Sequence, residues 1–111
     1  MVMDVRKSLL DIIQDKASQR ILFSQHALRQ MSRPDRMIST TKIRMVLDKG
    51  EIIEGYPEDP RGHSCLLLSR GTSERPVHVL CAPKDEYLAV ITAYLPDEEE
   101  WANNFRMRKK S

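Results

Sequence analysis

Apolar residues recur at intervals of three and four along the first part of the chain, with charged residues between them. This spacing predicts an amphipathic helix over about residues 3 to 18, and such a helix should lie on a sheet. The apolar positions that define its buried stripe are Val2, Val5, Leu9, Ile12 and Ile13.

A second helix is predicted after the short apolar stretch 21–23. That stretch ends at Ser24, whose side chain can cap a helix by accepting a backbone N–H. The helix should begin near Gln25 and run to Arg33, because Pro34 disfavours continuation.

A third helix is predicted before residue 50. Ser39 or Thr40 can cap it, and Gly50 would provide the residue that tolerates left-handed geometry at its end. Its buried stripe consists of Ile43, Val46 and Leu47.

The hydrophobic period then changes to that of β-strands. The short connections between the candidate strands suit hairpins and cannot hold crossover helices, so the pattern predicts an antiparallel meander. The four candidates are residues 51–56, 64–70, 75–82 and 88–94.

A last helix is predicted after Pro96-Asp97. An acidic start at 98–100 and a basic end at 106–110 match the helix macrodipole, and Trp101 and Phe105 form an apolar pair at i, i+4. We expect this helix to dock at a sheet edge through the two rings.

These elements predict a single α+β domain over residues 1–111. N-terminal helices would cover one face of a four-stranded antiparallel meander, followed by the C-terminal helix. The basic segment 107–111 is expected to fray.

Charge is distributed unevenly along the chain. The formal net charge is only +2, but residues 1–50 carry ten Lys/Arg and five Asp/Glu, whereas residues 51–111 carry eight and eleven. A basic first half could attract phosphate, although basic surface helices are common. Its basic residues include Arg20, Arg29, Arg33, Arg36, Lys42 and Arg44.

Several classes of protein are disfavoured by the sequence. Its apolar runs fall short of the roughly 20 residues that span a bilayer, and early aspartates argue against a signal peptide, so we expect a cytoplasmic protein without membrane association. Cys65 and Cys81 lie in predicted strands without CxxC spacing, which favours buried reduced thiols. Metal-ligand spacings, glycine-rich phosphate loops and nucleophile elbows are absent from the sequence, so we expect neither a metal nor another cofactor.

The predicted second helix carries a candidate phosphate-binding face. His26, Arg29 and Arg33 stand at i, i+3 and i+7, so one face would present an imidazole and two guanidiniums. Arginine offers a planar fork of donors to phosphate, and histidine can exchange a proton at neutral pH. The alternative is that His26 caps and packs its helix while the arginines face solvent.

A second histidine lies in a predicted strand. If residue 82 lies opposite residue 88 in a hairpin, His78 faces Thr92, and His78, Thr92 and Tyr94 share one face of the sheet. Tyr56 and Tyr94 each end a predicted strand, where a phenol could bind phosphate or stack on a base. The alternatives are a hydrogen-bonded core histidine and ordinary edge packing of the tyrosines.

Several of these segments, taken in order, resemble the bacterial domain-of-unknown-function family 4258. The resemblance covers about residues 21–101 and leaves residues 1–20 as an added N-terminal helix. The matching residues are Phe23-Ser24, His26-Ala27, Arg29, Ile52-Ile53-Glu54, Tyr56-Pro57, Leu66-Leu67-Leu68, Arg75-Pro76-Val77-His78-Val79, Ile91-Thr92-Ala93-Tyr94 and Pro96-Asp97.

The resemblance implies kinship with RelE-type toxins, in which N-terminal helices pack on an antiparallel sheet. It further implies a ribosome-dependent or free ribonuclease that is paired with an antitoxin protein. The added helix leaves two alternatives open, since it could cover the site or build a homodimer.

On this basis the leading hypothesis is a metal-independent endoribonuclease of toxin type. His26 and His78 would serve as acid and base, and Arg29 and Arg33 would clamp the phosphate. Tyr94 would complete the catalytic group, with Thr92 and Tyr56 contacting RNA. The rival hypothesis is a non-catalytic module that binds RNA or protein, and a separation of the two histidines beyond about 10 Å, or a sealed imidazole, would favour it.

Overall fold

The three N-terminal helices occur close to their predicted positions. A computed structural model describes residues 5–69 and 75–109, so the predicted helix start at residues 3–4, the strand end at residue 70 and the tail residues 110–111 lie outside the described residues. The helices are α1 (Val5–Gln19), α2 (Gln25–Met31) and α3 (Thr40–Lys49). None of the helices within these ranges is long and apolar enough to cross a membrane.

The sheet has five strands rather than the predicted four. The predicted antiparallel meander is present, but a short strand at Ile21–Phe23 adds to it by pairing in parallel with the last strand of the meander. Three residues are too short for a period to be read, and the pairing partner lies more than sixty residues away, so local sequence gave no sign of this strand. The strands of the sheet are β1 (Ile21–Phe23), β2 (Glu51–Tyr56), β3 (Ser64–Leu68), β4 (His78–Pro83) and β5 (Leu88–Tyr94), in the spatial order β1-β5-β4-β3-β2.

The sheet separates two hydrophobic clusters. The helices pack against one face and form the larger cluster with alternate residues of the strands, including Leu67, Val79 and Val90. The opposite face, called the open face below, carries a smaller cluster. The members of the smaller cluster are Ile53, Leu66, Leu68 and Trp101, with Tyr56, Leu80 and Phe105 partly buried against them.

Serine caps fix the entries to α2 and α3, as predicted. The Ser24 hydroxyl accepts the Ala27 N–H at 2.9 Å and donates to the Ile91 carbonyl at 2.8 Å, so it also ties α2 to β5. Ser39, rather than Thr40, caps α3 by accepting from the N–H of Lys42.

The role predicted for Gly50 is wrong. Its φ of −74° is extended, so no left-handed geometry is required at the end of α3. The glycine is needed for space, because a Cβ there would lie 2.4 Å from the Val46 carbonyl oxygen and 2.8 Å from that of Leu68.

The predicted C-terminal helix is replaced by a β-hairpin. After a turn at 98–100, β6 (Trp101–Ala102) pairs with β7 (Met107–Arg108), and the connection holds Asn103, Asn104 and Phe105 at φ between 53° and 67°. Asparagine tolerates this left-handed region, which no α-helix can contain. Two residues of the segment that was expected to fray, Met107 and Arg108, are paired in β7.

Two of the basic residues that had suggested a helix macrodipole form ion pairs with β2 instead. Arg106 Nη2 lies 2.6 Å from Glu51, and Arg108 Nε lies 3.0 Å from Glu54. Both pairs join the hairpin to β2. The Trp101 and Phe105 rings pack against the sheet as predicted, but they do so on its open face and from a hairpin rather than a helix.

The β4–β5 register differs from the prediction by two residues at its far end. Pro83, not Ala82, lies opposite Leu88, and an irregularity between Leu80 and Cys81 leaves Ile91 without a partner in β4. His78 therefore faces Tyr94 rather than Thr92. The predicted pairing is off by one residue at the turn and by one more at the irregularity. A total shift of two residues keeps each side chain on its predicted side of the sheet, so His78, Thr92 and Tyr94 still share a face.

The two cysteines are buried reduced thiols, as predicted. Cys65 and Cys81 lie opposite each other on β3 and β4 without a disulfide. Burial raises the pKa of the Cys65 thiol to about 11 and raises that of Cys81 further, so neither is a thiolate at neutral pH.

Candidate functional site

His78 is sealed beneath aromatic side chains on the open face. It is 0% exposed, and its ring centroid lies 4.4 Å from that of Trp101 and 5.2 Å from that of Tyr94, both at steep angles. Burial lowers its pKa from 6.5 to about 4, an effect that the Phe105 carbonyl opposes and the Arg108 charge assists. The imidazole is therefore neutral at physiological pH.

The hydrogen bonds of this ring determine its tautomer. Nε2 lies 2.9 Å from the Phe105 carbonyl oxygen, which can only accept, so Nε2 carries the proton. The unprotonated Nδ1 then accepts the O–H of Tyr94 at 3.1 Å. His78 thus ties β5 to the turn of the C-terminal hairpin, and both of its nitrogens are occupied.

The phosphate-binding face predicted on the second helix is only partly formed. His26 and Arg29 are exposed on α2, but the helix ends at Met31. Arg33 follows that end and forms an ion pair with Asp35 at 3.3 Å. The predicted i, i+7 relation on one helical face is therefore wrong for Arg33.

The structure does not bring His26 and His78 together. Ala27 and Met31 pack α2 against one face of the sheet, whereas His78 contacts Trp101 on the other. The hypothesis that His26 and His78 act together as acid and base does not fit this arrangement, since strand alternation directs His78 away from the helices.

Three of the predicted residues do converge. Tyr56 from β2 and Thr92 and Tyr94 from β5 line a cavity of about 450 Å³ on the open face, which we name the open-face cleft. Leu66 and Leu80 contribute apolar side chains between them. The remaining lining residues are Asp59, Pro60, Arg61 and Arg108.

The turn between β2 and β3 contributes a guanidinium to the open-face cleft. Arg61 donates from Nε and Nη2 to the two carboxylate oxygens of Asp59 at 3.0 and 2.9 Å, and Ser64 donates to the same carboxylate. These bonds hold the pKa of Asp59 well below its usual range. The arginine is thereby held in a fixed orientation beside the cleft.

The C-terminal hairpin contributes a second guanidinium. Arg108 lies 4.7 Å from the centroid of the Trp101 ring and donates to both carboxylate oxygens of Glu54, with Tyr56 also within reach at 3.4 Å. Tyr56 itself donates to Glu54. Each cleft arginine thus has a carboxylate partner, which leaves the charge of the site nearly balanced.

Tyr94 lines the open-face cleft and carries a phenol that is bonded to His78. Burial raises the pKa of its phenol above 10.0, so the group is protonated at neutral pH, and its proton points to His78. The phenol oxygen keeps lone pairs for a donor outside the protein.

Sequence reasoning missed Arg61 and Arg108 as site residues. Arg61 follows Asp59 in a Pro- and Gly-containing turn, a pattern that could have signalled a rigid charged corner. Arg108 was assigned to a helix end and a frayed tail, so no signal in the predicted elements could have placed it on the open face.

The described part of the chain contains no group of three or more His, Cys, Asp or Glu side chains arranged to hold a metal ion. The two carboxylates at the open-face cleft, Asp59 and Glu54, form ion pairs with Arg61 and Arg108.

Comparison with known protein families gives a match for this chain. No curated protein and no solved structure matches this chain. A family model described as a domain of unknown function, DUF4258, matches residues 23–95, a span that runs from the end of β1 to the end of β5 and includes Tyr56, Thr92 and Tyr94. Because this match covers well over half of the chain, the protein belongs to the DUF4258 family.

Proposed function

We propose that this protein binds single-stranded RNA in the open-face cleft. The observation that carries the proposal is the convergence there of Tyr56, Thr92 and Tyr94 with two fixed guanidiniums. The non-catalytic binding hypothesis fits this arrangement better than the two-histidine nuclease, because His78 is sealed and both of its nitrogens are engaged.

The cleft offers contacts for each part of a nucleotide. The apolar surface of Leu66 and Leu80 and the phenol rings suit a base, and the guanidiniums suit phosphate oxygens. Since each arginine already has a carboxylate partner, binding should release few counterions. We expect a shallow salt dependence with a log–log slope of about −1 to −2.

The acceptor at Tyr94 supports recognition of ribose. A ribose 2′-hydroxyl can donate to the phenol oxygen, whose own proton is committed to His78. Deoxyribose lacks this donor. The cleft should therefore bind RNA more tightly than DNA of the same sequence.

Fluorescence anisotropy with a labelled eight-nucleotide RNA tests the proposal. Arg108→Gln and Tyr56→Ala should each weaken binding about tenfold, because each removes a contact worth roughly 1–3 kcal/mol. The matched controls Arg44→Gln and Tyr87→Ala change the same residue types away from the cleft and should bind as the wild type does. Equal affinity for all five proteins, or no saturable binding at all, would refute the proposal.

Cleavage by a toxin that pairs with an antitoxin is a further hypothesis, which rests on the kinship with RelE-type toxins that the family resemblance implies. Tyr94 is the predicted catalytic residue that lines the cleft. The same RNA, incubated in EDTA with wild type, Tyr94→Phe and His26→Ala, tests this hypothesis. Cleavage lost in Tyr94→Phe but kept in His26→Ala would place the chemistry in the cleft, whereas intact RNA with wild type would leave binding alone.

A further inference from the structure

Arg108 is held in the open-face cleft by two groups that leave one side of its guanidinium open. Its Cζ atom lies over the Trp101 ring, 4.7 Å from the ring centroid, so the indole covers one planar side. Nε and Nη2 donate to the carboxylate of Glu54, which occupies one edge of the group. The side chain is nevertheless 62% exposed and lines the cleft. Its open surface therefore consists of the opposite planar side and the Nη1 end.

Trp101 gives the guanidinium a fixed support. The indole is only 5% exposed, and its ring meets that of His78 at a steep angle with 4.4 Å between the centroids. Trp101 lies directly opposite Arg108 in the pairing of β6 with β7, and side chains that are paired in this way project to the same side of a hairpin. The fold thus sets the plane of the Arg108 guanidinium before any ligand binds.

The other guanidinium of the cleft is held through in-plane contacts. Nε and Nη2 of Arg61 donate to the two carboxylate oxygens of Asp59, and the backbone N–H of Arg61 donates to the same carboxylate. The remaining N–H groups of a guanidinium held by one edge point along the same plane, which is the direction in which a phosphate oxygen accepts. Arg61 therefore suits phosphate, whereas the support from Trp101 prepares Arg108 for a contact through its face.

A nucleobase matches the open side of Arg108. Guanidinium planes are weakly hydrated and stack on flat π-systems, and the unpaired bases of RNA are bound by arginine in this way in other proteins. Leu66 and Leu80 provide apolar surface in the same cleft. A base bound there completes a stack of three layers, which are indole, guanidinium and base.

We propose that Arg108 recognises RNA by stacking on an unpaired base rather than by holding a phosphate. Trp101 and Glu54 are positioning residues in this arrangement, because they fix the plane on which the base lies. The inference rests on the proposed RNA binding and assigns one contact within it.

A lysine at position 108 separates stacking from charge, because lysine keeps the positive charge and lacks the planar face. Fluorescence anisotropy at low salt compares wild type with Arg108→Lys on two labelled probes, an eight-nucleotide RNA and a chain of eight ribose phosphates without bases. We expect Arg108→Lys to weaken binding of the RNA about tenfold and to change binding of the base-free chain by less than about twofold. The control Arg44→Lys makes the same change away from the cleft and should bind both probes as the wild type does.

Two results would overturn the assignment of Arg108 to a base. Binding of the RNA by Arg108→Lys as tightly as by wild type would show that the charge is sufficient. Equal weakening with both probes would show that Arg108 acts on the phosphate backbone or on the shape of the cleft. Absence of RNA binding by the wild type is a separate result, which would refute the proposed function and this inference together.

Discussion

Replacing the sealed imidazole gives a sharp test of the structure around the open-face cleft. In His78→Phe the ring contacts with Trp101 remain, but both polar contacts of the imidazole are lost. The Phe105 carbonyl loses its hydrogen-bond donor, while Tyr94 can turn toward the cleft. We expect the variant to be less stable than wild type by roughly 1–3 kcal/mol at pH 7.

Wild type should also lose more stability than the variant as the pH falls from 7 to 5. The folded-state pKa of His78 is about 4 against 6.5 in an unfolded chain, because burial opposes the charged form. Below pH 6.5 the unfolded state therefore binds more protons, and stability decreases until the pH reaches about 4. Linkage between these two pKa values gives a loss of about 2 kcal/mol between pH 7 and pH 5.

Urea unfolding followed by the fluorescence of the single tryptophan measures both effects, since Trp101 packs on His78. His26→Ala serves as the control, because it removes an exposed histidine on α2 and leaves the buried ring in place. The difference between wild type and His78→Phe should shrink by about 2 kcal/mol from pH 7 to pH 5. If the difference stays constant with pH, His78 is not buried as a neutral imidazole, and the reasoning about Tyr94 fails with it.

Three further predictions concern packing. Gly50→Ala should lower the free energy of unfolding in urea by roughly 1–3 kcal/mol, because the added Cβ would meet two backbone oxygens. The control Gly55→Ala, whose Cβ would lie 3.7 Å from its nearest neighbour, should lower it much less, and equal losses would contradict the close approach at Gly50. Asn104→Val should destabilise the C-terminal hairpin by about 1–2 kcal/mol through its left-handed φ of 56°, seen as a change in tryptophan emission, and an unchanged spectrum and stability would argue against the turn. A thiol reagent should label Cys65 and Cys81 only in denaturant, and rapid labelling of the native protein would show that the core is open.

Local patterns were sufficient for most of the elements. Serine side chains at the helix starts and the alternation in the meander act through neighbouring residues, so the caps and strands β2 to β5 could be predicted. The sequence also predicted correctly which side of the sheet the residues of β4 and β5 face, and so placed Thr92 and Tyr94 on one face.

The errors arose where distant residues determine the structure. β1 depends on its partner β5, and Gly50 on the approach of Leu68 from β3. The C-terminal charges suited a helix equally well, but the asparagine pair and the ion pairs to β2 stabilise a hairpin instead. The site was therefore half predictable, since the residues on β2 and β5 were found while Arg108 and the isolation of His78 required the tertiary fold.

The measurement that tests the central claim most directly is a map of amide shifts on adding an unphosphorylated eight-nucleotide RNA. RNA binding in the open-face cleft predicts saturable shifts at Tyr56, Leu80, Thr92 and Arg108, and weaker shifts with DNA of the same sequence. Shifts confined to the exposed face of α2, around His26 and Arg29, would contradict the account.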